Sequence, residues 1–504
     1  VTDTFHAPPA ELPRTLGELR AAGHRYRTVK QELRENLLHR MRAGLDRFPG
    51  IVGYDDTVLP EVERALLAGH DMVLLGERGQ GKTRLIRALG QLLDEWTPVI
   101  PASVLNEHPL HPITPASRAA VAEAGDDLPI SWLHRAMRYG EKLATPDTSV
   151  GDLIGDVDPI RIAQGRTLGD PETIHFGLVP RTNRGIFAVN ELPDLAERIQ
   201  VSLLNVLEER DIQVRGYQLR LPLDLLLVAS ANPEDYTNRG RIITPLKDRF
   251  GAEIRTHYPL ELDLELDLIR QEAELVADVP EHVLEVLARF ARAVRESPSV
   301  DARSGVSARF AIAAAETVSA AALRRAGLLA AGQALSGGPS STESDNTGPF
   351  LSPEPAVARV GDAVSVVSTL RGKVEFEAGE EGRETEVLAH LLRTATAETF
   401  RARLSGLDLS GFTTLVADGN MIETGELVPA ADLLRQVGTV PGLAKALDRL
   451  GLGDAPTPGE AAAAVEFVLE GLHLTRRLAK DVSDDGRTRY GGRASGGAGG
   501  SGRG

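Results

Sequence analysis

The sequence predicts an α/β fold, a parallel sheet packed with helices, followed by a helical region. Three observations predict it. Between residues 69 and 258, short aliphatic runs alternate with amphipathic stretches, the pattern of strands joined by crossover helices. One such run, Asp71-Met-Val-Leu-Leu, leads into Gly76-Glu-Arg-Gly-Gln-Gly-Lys-Thr83, which satisfies GxxxxGK[ST] at every fixed position. After Pro259 the strand signals largely stop and alanine- and leucine-rich helical periodicity takes over.

Taken in order, residues 14–46 read as charged and helical, with Leu33, Leu37, Leu38, Met41 and Leu45 as an apolar stripe. Phe48-Pro-Gly-Ile-Val-Gly53 breaks that pattern, and Asp56 to Ala68 reads as a second helix. The strand at Asp71–Leu75 and the helix after it, with Leu85, Ile86, Leu89, Leu92 and Leu93 on one face, bracket the glycine-rich turn. Residues 97–184 exceed the needs of one crossover, so inserted loops or hairpins are expected there. Gly185–Asn190 and Leu223–Ser230 read as two further strands. Helices are expected at 261–295, 307–334, 384–404 and within 430–480, with a Gly/Pro/Ser-rich connector at 336–355. The Gly/Ser/Arg-rich tail from Ser483 reads as disordered.

Bulk properties bound the function. At 504 residues the chain exceeds one hydrophobic core, and 42% apolar with 25% charged residues is ordinary for a globular protein. The net charge of −16 argues against a nucleic-acid-coating protein. The absence of cysteine excludes disulfides and cysteine-ligated metal centres. No stretch approaches the roughly 20 apolar residues needed to span a bilayer. No signal pattern opens the chain, so the cytoplasm is the expected location and a membrane is not an expected partner.

The chemistry concentrates around the glycine-rich turn. A strand running through such a turn into a helix aims backbone N–H groups at one point, an arrangement that binds a polyphosphate. Gly79 and Gly81 allow the backbone to curl round it, with Glu77, Arg78 and Gln80 completing the loop. Lys82 reaches the β- and γ-phosphates, and the Thr83 hydroxyl sits on Mg²⁺. ATP and Mg²⁺ are therefore the expected ligands. Asn190-Glu191 ends the next strand, where a metal-anchoring group and a water-activating carboxylate belong. An Asp would be usual at 190; Asn brings an amide oxygen that can accept a hydrogen bond from a Mg²⁺-bound water, without the charge. Asn232 suits either a hydrogen bond to the γ-phosphate and attacking water or the opening of a turn before Pro233. Arg249 suits either completion of a neighbouring subunit's site or a salt bridge, and Arg309, at the start of a helix, suits either reaching the γ-phosphate from a lid or a salt bridge. Glu107, His108 and His111 invite a metal reading, but the surrounding prolines prevent a shared helical face.

These residues together resemble the AAA+ ATPases of the magnesium chelatase small-subunit and MoxR clade. The matching pieces are Phe48–Gly53, the glycine-rich loop, Pro180–Glu191, Ser230-Ala-Asn-Pro233 and Leu246-Lys-Asp-Arg-Phe250. The resemblance implies a three-layer core with hairpin insertions and an all-α lid. In domain terms it suggests an N-terminal helical segment at 1–47, the AAA+ core at 48–262, a helical lid at 263–400 interrupted at 336–356, a helical region at 401–482 and the tail at 483–504. It implies Walker A at Gly76–Thr83, Walker B ending at Asn190-Glu191, sensor 1 at Asn232, an arginine finger at Arg249 and sensor 2 at Arg309. It further implies a self-assembled ring, usually a hexamer, working with a separate protein that bears a von Willebrand factor A domain. The leading functional expectation is an ATP-driven remodeller of a partner protein. Alternatives are the motor subunit of a magnesium chelatase and a nucleotide-gated scaffold with weak turnover, the latter suggested by Asn190. An activator of sigma-54 transcription is set aside, because the chain lacks a GAFTGA loop.

Overall fold

The computed structural model describes residues 7–101, 103–158, 173–208, 211–214, 217–233, 242–301, 305–335, 356–417, 421–453, 455–483 and 487–491. The chain divides into two compact units, Val1–Tyr258 and Pro259–Gly504.

The first unit opens with helices α1 (Leu16–Ala21), α2 (Val29–Ala43) and α3 (Val58–Ala68). Thr28 caps α2 in a reciprocal capping box with Gln31, and Gly44 ends it in the left-handed conformation at φ 64°. That stop leaves Leu45 outside the helix and exposed, whereas Leu33 and Leu37 of the expected stripe are buried. Strand β1 (Met72–Leu75) precedes helix α4 (Lys82–Leu89). There follow β2 (Trp96–Val99), helix α5 (Pro115–Ala124), β3 (Ser131–His134), β4 (Tyr139–Leu143), β5 (Gly155–Val157), β6 (Ile174–Phe176) and β7 (Gly185–Asn190). The unit closes with β8 (Asp211–Val214), β9 (Tyr217–Arg220), β10 (Leu225–Ala231) and β11 (Ala252–Arg255).

Five strands form one parallel sheet in the order β11-β1-β10-β7-β4. Alternate residues serve opposite faces, as the twofold strand period requires. Val73, Phe187, Val189, Leu227 and Ala229 join one apolar cluster. Met72, Leu74, Ile186, Ala188, Leu226 and Val228 join another, which also holds Val29, Leu33 and Leu37 of α2 and Leu85, Ile86 and Leu89 of α4. The sheet is thus sandwiched, and α2 belongs to its core; the expected boundary at 47/48 does not separate two cores. The long interval holds antiparallel two-stranded pairs, β2 with β3 and β5 with β6, and it also supplies β4, an edge strand of the main sheet.

Buried charge ties the layers together. Arg138, fully buried just before β4, makes two 2.7 Å bonds to Glu32 of α2, and its Nε donates to the Arg184 carbonyl at 2.6 Å. Arg184 in turn pairs with Asp224 at 2.6 Å. Such paired, hydrogen-bonded geometry is what makes charge tolerable in a core.

The second unit is built on long helices, including Glu281–Glu296, Ala308–Leu335, Glu384–Leu404 and Pro458–Leu474, around a single apolar cluster. It is not wholly helical. β12 (Ile422–Gly425), β13 (Ala479–Val482) and β14 (Arg487–Gly491) form an antiparallel sheet in the order β12-β14-β13. The tail expected to lack structure from Ser483 therefore contributes a strand, anchored by buried Tyr490 and by Arg489 paired with Glu423 at 2.8 Å. The connector at 336–355 lies outside the described residues. Among the described residues no helix is long and apolar enough to cross a membrane.

Two buried histidines give each unit a pH signature. Burial, reinforced by nearby Arg184, holds His108 down at about 2, and burial holds His282 at about 3. Both side chains are neutral in the fold, while in the unfolded chain they take up protons near 6.5. Stability is therefore complete above that value and falls as pH drops below it, by up to about 1.4 kcal/mol per pH unit for each histidine. Urea midpoints measured from about pH 7.5 down to about 5 should decline, and His282→Leu should flatten the decline.

Candidate functional site

All five strands of the main sheet run parallel, so their C-terminal ends open on one edge, where loops can converge on a ligand. The register aligns Leu75 with Ala231 and Leu143 with Asn190. The turn after β1, Asn232 after β10, and Asn190-Glu191 at the end of β7 consequently meet.

The loop between β1 and α4 is shaped by positive φ at Gly79 and Gly81, both 75°. Gly76 is close-packed: a Cβ there would lie 1.9 Å from Thr256 Oγ1 and 2.2 Å from Gln80 Oε1. The loop's carbonyls are held by side chains. Those of Gly76 and Glu77 accept from Lys82 Nζ, that of Arg78 accepts from the Tyr258 hydroxyl at 2.8 Å, and that of Gln80 accepts from the Tyr54 hydroxyl. Burial pushes the Tyr54 hydroxyl up to about 12, so it remains a donor at any physiological pH. Among the described residues no side chain caps α4, which leaves its first-turn N–H groups to an anion.

Lys82 is buried and also donates to Asn232 Oδ1 at 3.0 Å. Asn232 Nδ2 donates to Glu191 Oε2 at 3.1 Å, so one amide joins the ammonium to the carboxylate. Glu191 sits at φ 56°, an uncommon conformation for a residue with a side chain, and its N–H donates to Ser230 Oγ at 3.2 Å. Asn190 Oδ1 accepts from the Thr83 hydroxyl at 3.3 Å and the Ser230 hydroxyl at 3.2 Å. Asn190 Nδ2 donates to Glu141 Oε1 at 2.7 Å.

Thr83 and Asn190 thus present hard, neutral oxygen atoms side by side. That donor set fits Mg²⁺, which keeps waters and phosphate oxygens as its main ligands and needs only one or two from protein. Gly76–Thr83, Asn190, Glu191 and Asn232 are brought together at this edge. Arg249 is not bonded to any of them: it ends the helix Thr244–Arg249, nearly half exposed, ion-paired with Glu208. Arg309 lies in the second unit, exposed in the first turn of Ala308–Leu335. The Glu107, His108 and His111 group takes a structural part. Glu107 accepts from the Ile113 and Thr114 backbones, Thr114 Oγ1 and Ser117 Oγ, fixing the start of α5. Among the described residues no group of three or more histidine or acidic side chains is arranged to hold a metal ion.

Sequence reasoning passed over Glu141, Tyr54, Thr256 and Tyr258. Glu141 sits on β4, whose Tyr-Gly-Glu-Lys-Leu sequence lacks the aliphatic run that marks a buried strand. The aromatic hydroxyls act on loop carbonyls from residues far along the chain, and no local pattern encodes that.

Known proteins are similar to parts of this chain. The sigma-54 interaction domain family matches residues 167–249, a stretch that contains β7, Glu191, Asn232 and Arg249. The magnesium-chelatase subunit ChlI of Nostoc is 28% identical over 239 residues, covering 46% of this chain and 60% of that protein. The magnesium-chelatase 38 kDa subunit of Rhodobacter capsulatus is 30% identical over 248 residues, covering 46% of this chain and 61% of that protein. The chain therefore spans about three fifths of the length of these curated relatives. Among solved structures, one described as the complex between subunits BchI and BchD of magnesium chelatase matches at 24% identity with a TM-score of 0.34. It covers 58% of this chain and 89% of that chain.

Proposed function

We propose that this chain, an AAA+ protein whose core is related to the magnesium-chelatase ATPase subunits, binds ATP with Mg²⁺ at Gly76–Thr83 and hydrolyses it to remodel a partner protein. The observation that carries the reading is the convergence of Lys82, Thr83, Asn190, Glu191 and Asn232 at the uncapped end of α4. Lys82 exchanges its loop carbonyls for β- and γ-phosphate oxygens. Thr83 and Asn190 hold the metal side of the triphosphate. Bound there, Mg²⁺ neutralises charge developing on the transferred phosphoryl group. Glu191 orients water for in-line attack, and Asn232 keeps that carboxylate and the ammonium in register. Arg249 completes the site of a neighbouring copy, and Arg309 acts as a sensor of the γ-phosphate. This division of labour requires a ring of copies, a hexamer in our reading, and a separate client protein, for which a von Willebrand factor A domain protein is the leading candidate.

The names of the curated relatives favour one narrower version, the motor subunit of a magnesium chelatase. A chelation assay with the remaining subunits of such an enzyme distinguishes it from a general remodeller.

The test is calorimetric titration with a non-hydrolysable ATP analogue. Lys82→Ala should bind about 100-fold more weakly than wild type, the loss of two charge-assisted hydrogen bonds at about 1.5 kcal/mol each. Equal affinity in the two proteins would contradict the assignment.

A further inference from the structure

Asn190 occupies a position where a carboxylate is the usual residue, and the structure supplies a carboxylate beside it from another strand. Glu141 of β4 is partly buried and accepts four hydrogen bonds. Two come from Arg87, at 2.8 and 2.9 Å, one from the Tyr139 hydroxyl at 3.0 Å and one from Asn190 Nδ2 at 2.7 Å. Arg87 and Thr83 lie four residues apart on α4 and so share one face of it. A closed circuit results, running from Thr83 through Asn190 and Glu141 to Arg87 and back to α4.

The circuit fixes which way the Asn190 amide points. With Nδ2 toward Glu141, the amide donates to a carboxylate, and Oδ1 is left to accept from the Thr83 and Ser230 hydroxyls. The opposite orientation would press an amide oxygen against a carboxylate oxygen and turn two N–H donors toward the metal side. The same geometry disfavours aspartate at 190, since a second carboxylate at that spot would face Glu141 at hydrogen-bond distance with no proton between them.

We propose that Glu141 is a positioning residue for the metal side of the nucleotide site, holding the Asn190 carbonyl oxygen toward Thr83, and that asparagine at 190 is matched to it. The proposal rests on the nucleotide reading above and deepens it. It predicts that installing the more usual aspartate harms this protein unless Glu141 is changed as well.

The experiment compares wild type, Glu141→Ala, Glu141→Gln, Asn190→Asp and the Glu141→Gln/Asn190→Asp pair. Two quantities are read: ADP affinity in EDTA, and the factor by which Mg²⁺ tightens binding of a non-hydrolysable ATP analogue, titrated with MgCl₂. Glu141→Ala should leave metal-free ADP affinity unchanged and raise the half-saturating Mg²⁺ concentration about 10–100-fold, the usual cost of losing an outer partner of a metal ligand. Glu141→Gln, whose amide oxygen still accepts from Asn190, should recover most of that loss. Asn190→Asp alone should be impaired, and the paired substitution should restore metal coupling beyond either expectation from additivity. A half-saturating Mg²⁺ in Glu141→Ala within about twofold of wild type would overturn the proposal. So would an Asn190→Asp protein that equals or surpasses wild type with Glu141 intact. Failure of wild type to bind ADP in EDTA or the analogue with Mg²⁺ would instead overturn the nucleotide assignment itself, and the positioning role with it.

Discussion

Arg249→Ala should bind ATP as tightly as wild type but turn it over about 10³–10⁵-fold more slowly, the range expected when a transition-state arginine is withdrawn. The reason lies in where the side chain stands. Leu246 and Phe250 on either side of it are buried, so its backbone is fixed, while the guanidinium is nearly half exposed. It makes no bond to Lys82, Thr83, Asn190 or Glu191 of its own chain and pairs with Glu208 instead. An ion pair this exposed is worth about 0–1 kcal/mol, so a neighbour's triphosphate can displace it at little cost. Specific activity of wild type should rise with protein concentration until assembly is complete, and mixing Arg249→Ala with Lys82→Ala protein should recover activity at mixed boundaries. Activity independent of protein concentration would remove the trans role.

Glu191→Gln should bind ATP and hold it, with hydrolysis slowed about 10²–10⁴-fold, as expected for loss of a positioned proton acceptor. The amide keeps the size of the side chain and still accepts from Asn232 Nδ2, so the site's shape survives and only basicity is lost. The positive φ at Glu191 is the structural cause for expecting a large effect, because this backbone turn directs the carboxylate to the Asn232 and Lys82 cluster rather than along the strand. Nucleotide content after gel filtration checks the prediction: the variant should elute with ATP, and wild type with ADP. Unaltered turnover in the variant would exclude Glu191 from the chemistry.

What the sequence disclosed follows from how each element is buried. β1, β7 and β10 are buried throughout, so both faces are aliphatic and the strands stand out as continuous runs. Lys82, Thr83 and Glu191 follow directly from those strands and were readable with them. β4 lies at the sheet's edge, half-buried and polar, and β12, β13 and β14 are short and polar too. None offers a pattern that stands above a loop. Glu141 was hidden for that reason, although it touches the residue whose identity was most unusual. Asn232 was left between two readings, and the bonds that bear on them run to Lys82 and Glu191, far away in sequence. Leu45 was misassigned because the glycine before it ends the helix one residue too early for the stripe to continue.

The bidentate pair between Glu32 and Arg138 has a practical corollary. Trimming the protein near residue 48, where the resemblance read from its sequence begins, would remove α2 and with it the counter-charge of a guanidinium with no exposed surface. Orphaning such a group costs about 3–5 kcal/mol, enough to consume much of a typical domain's margin against unfolding. The damage would fall on the segment that leads directly into β4. A shortened version that aggregates or ignores magnesium would then report a missing brace rather than an inactive enzyme, so biochemical work should begin from a chain that retains its first helices.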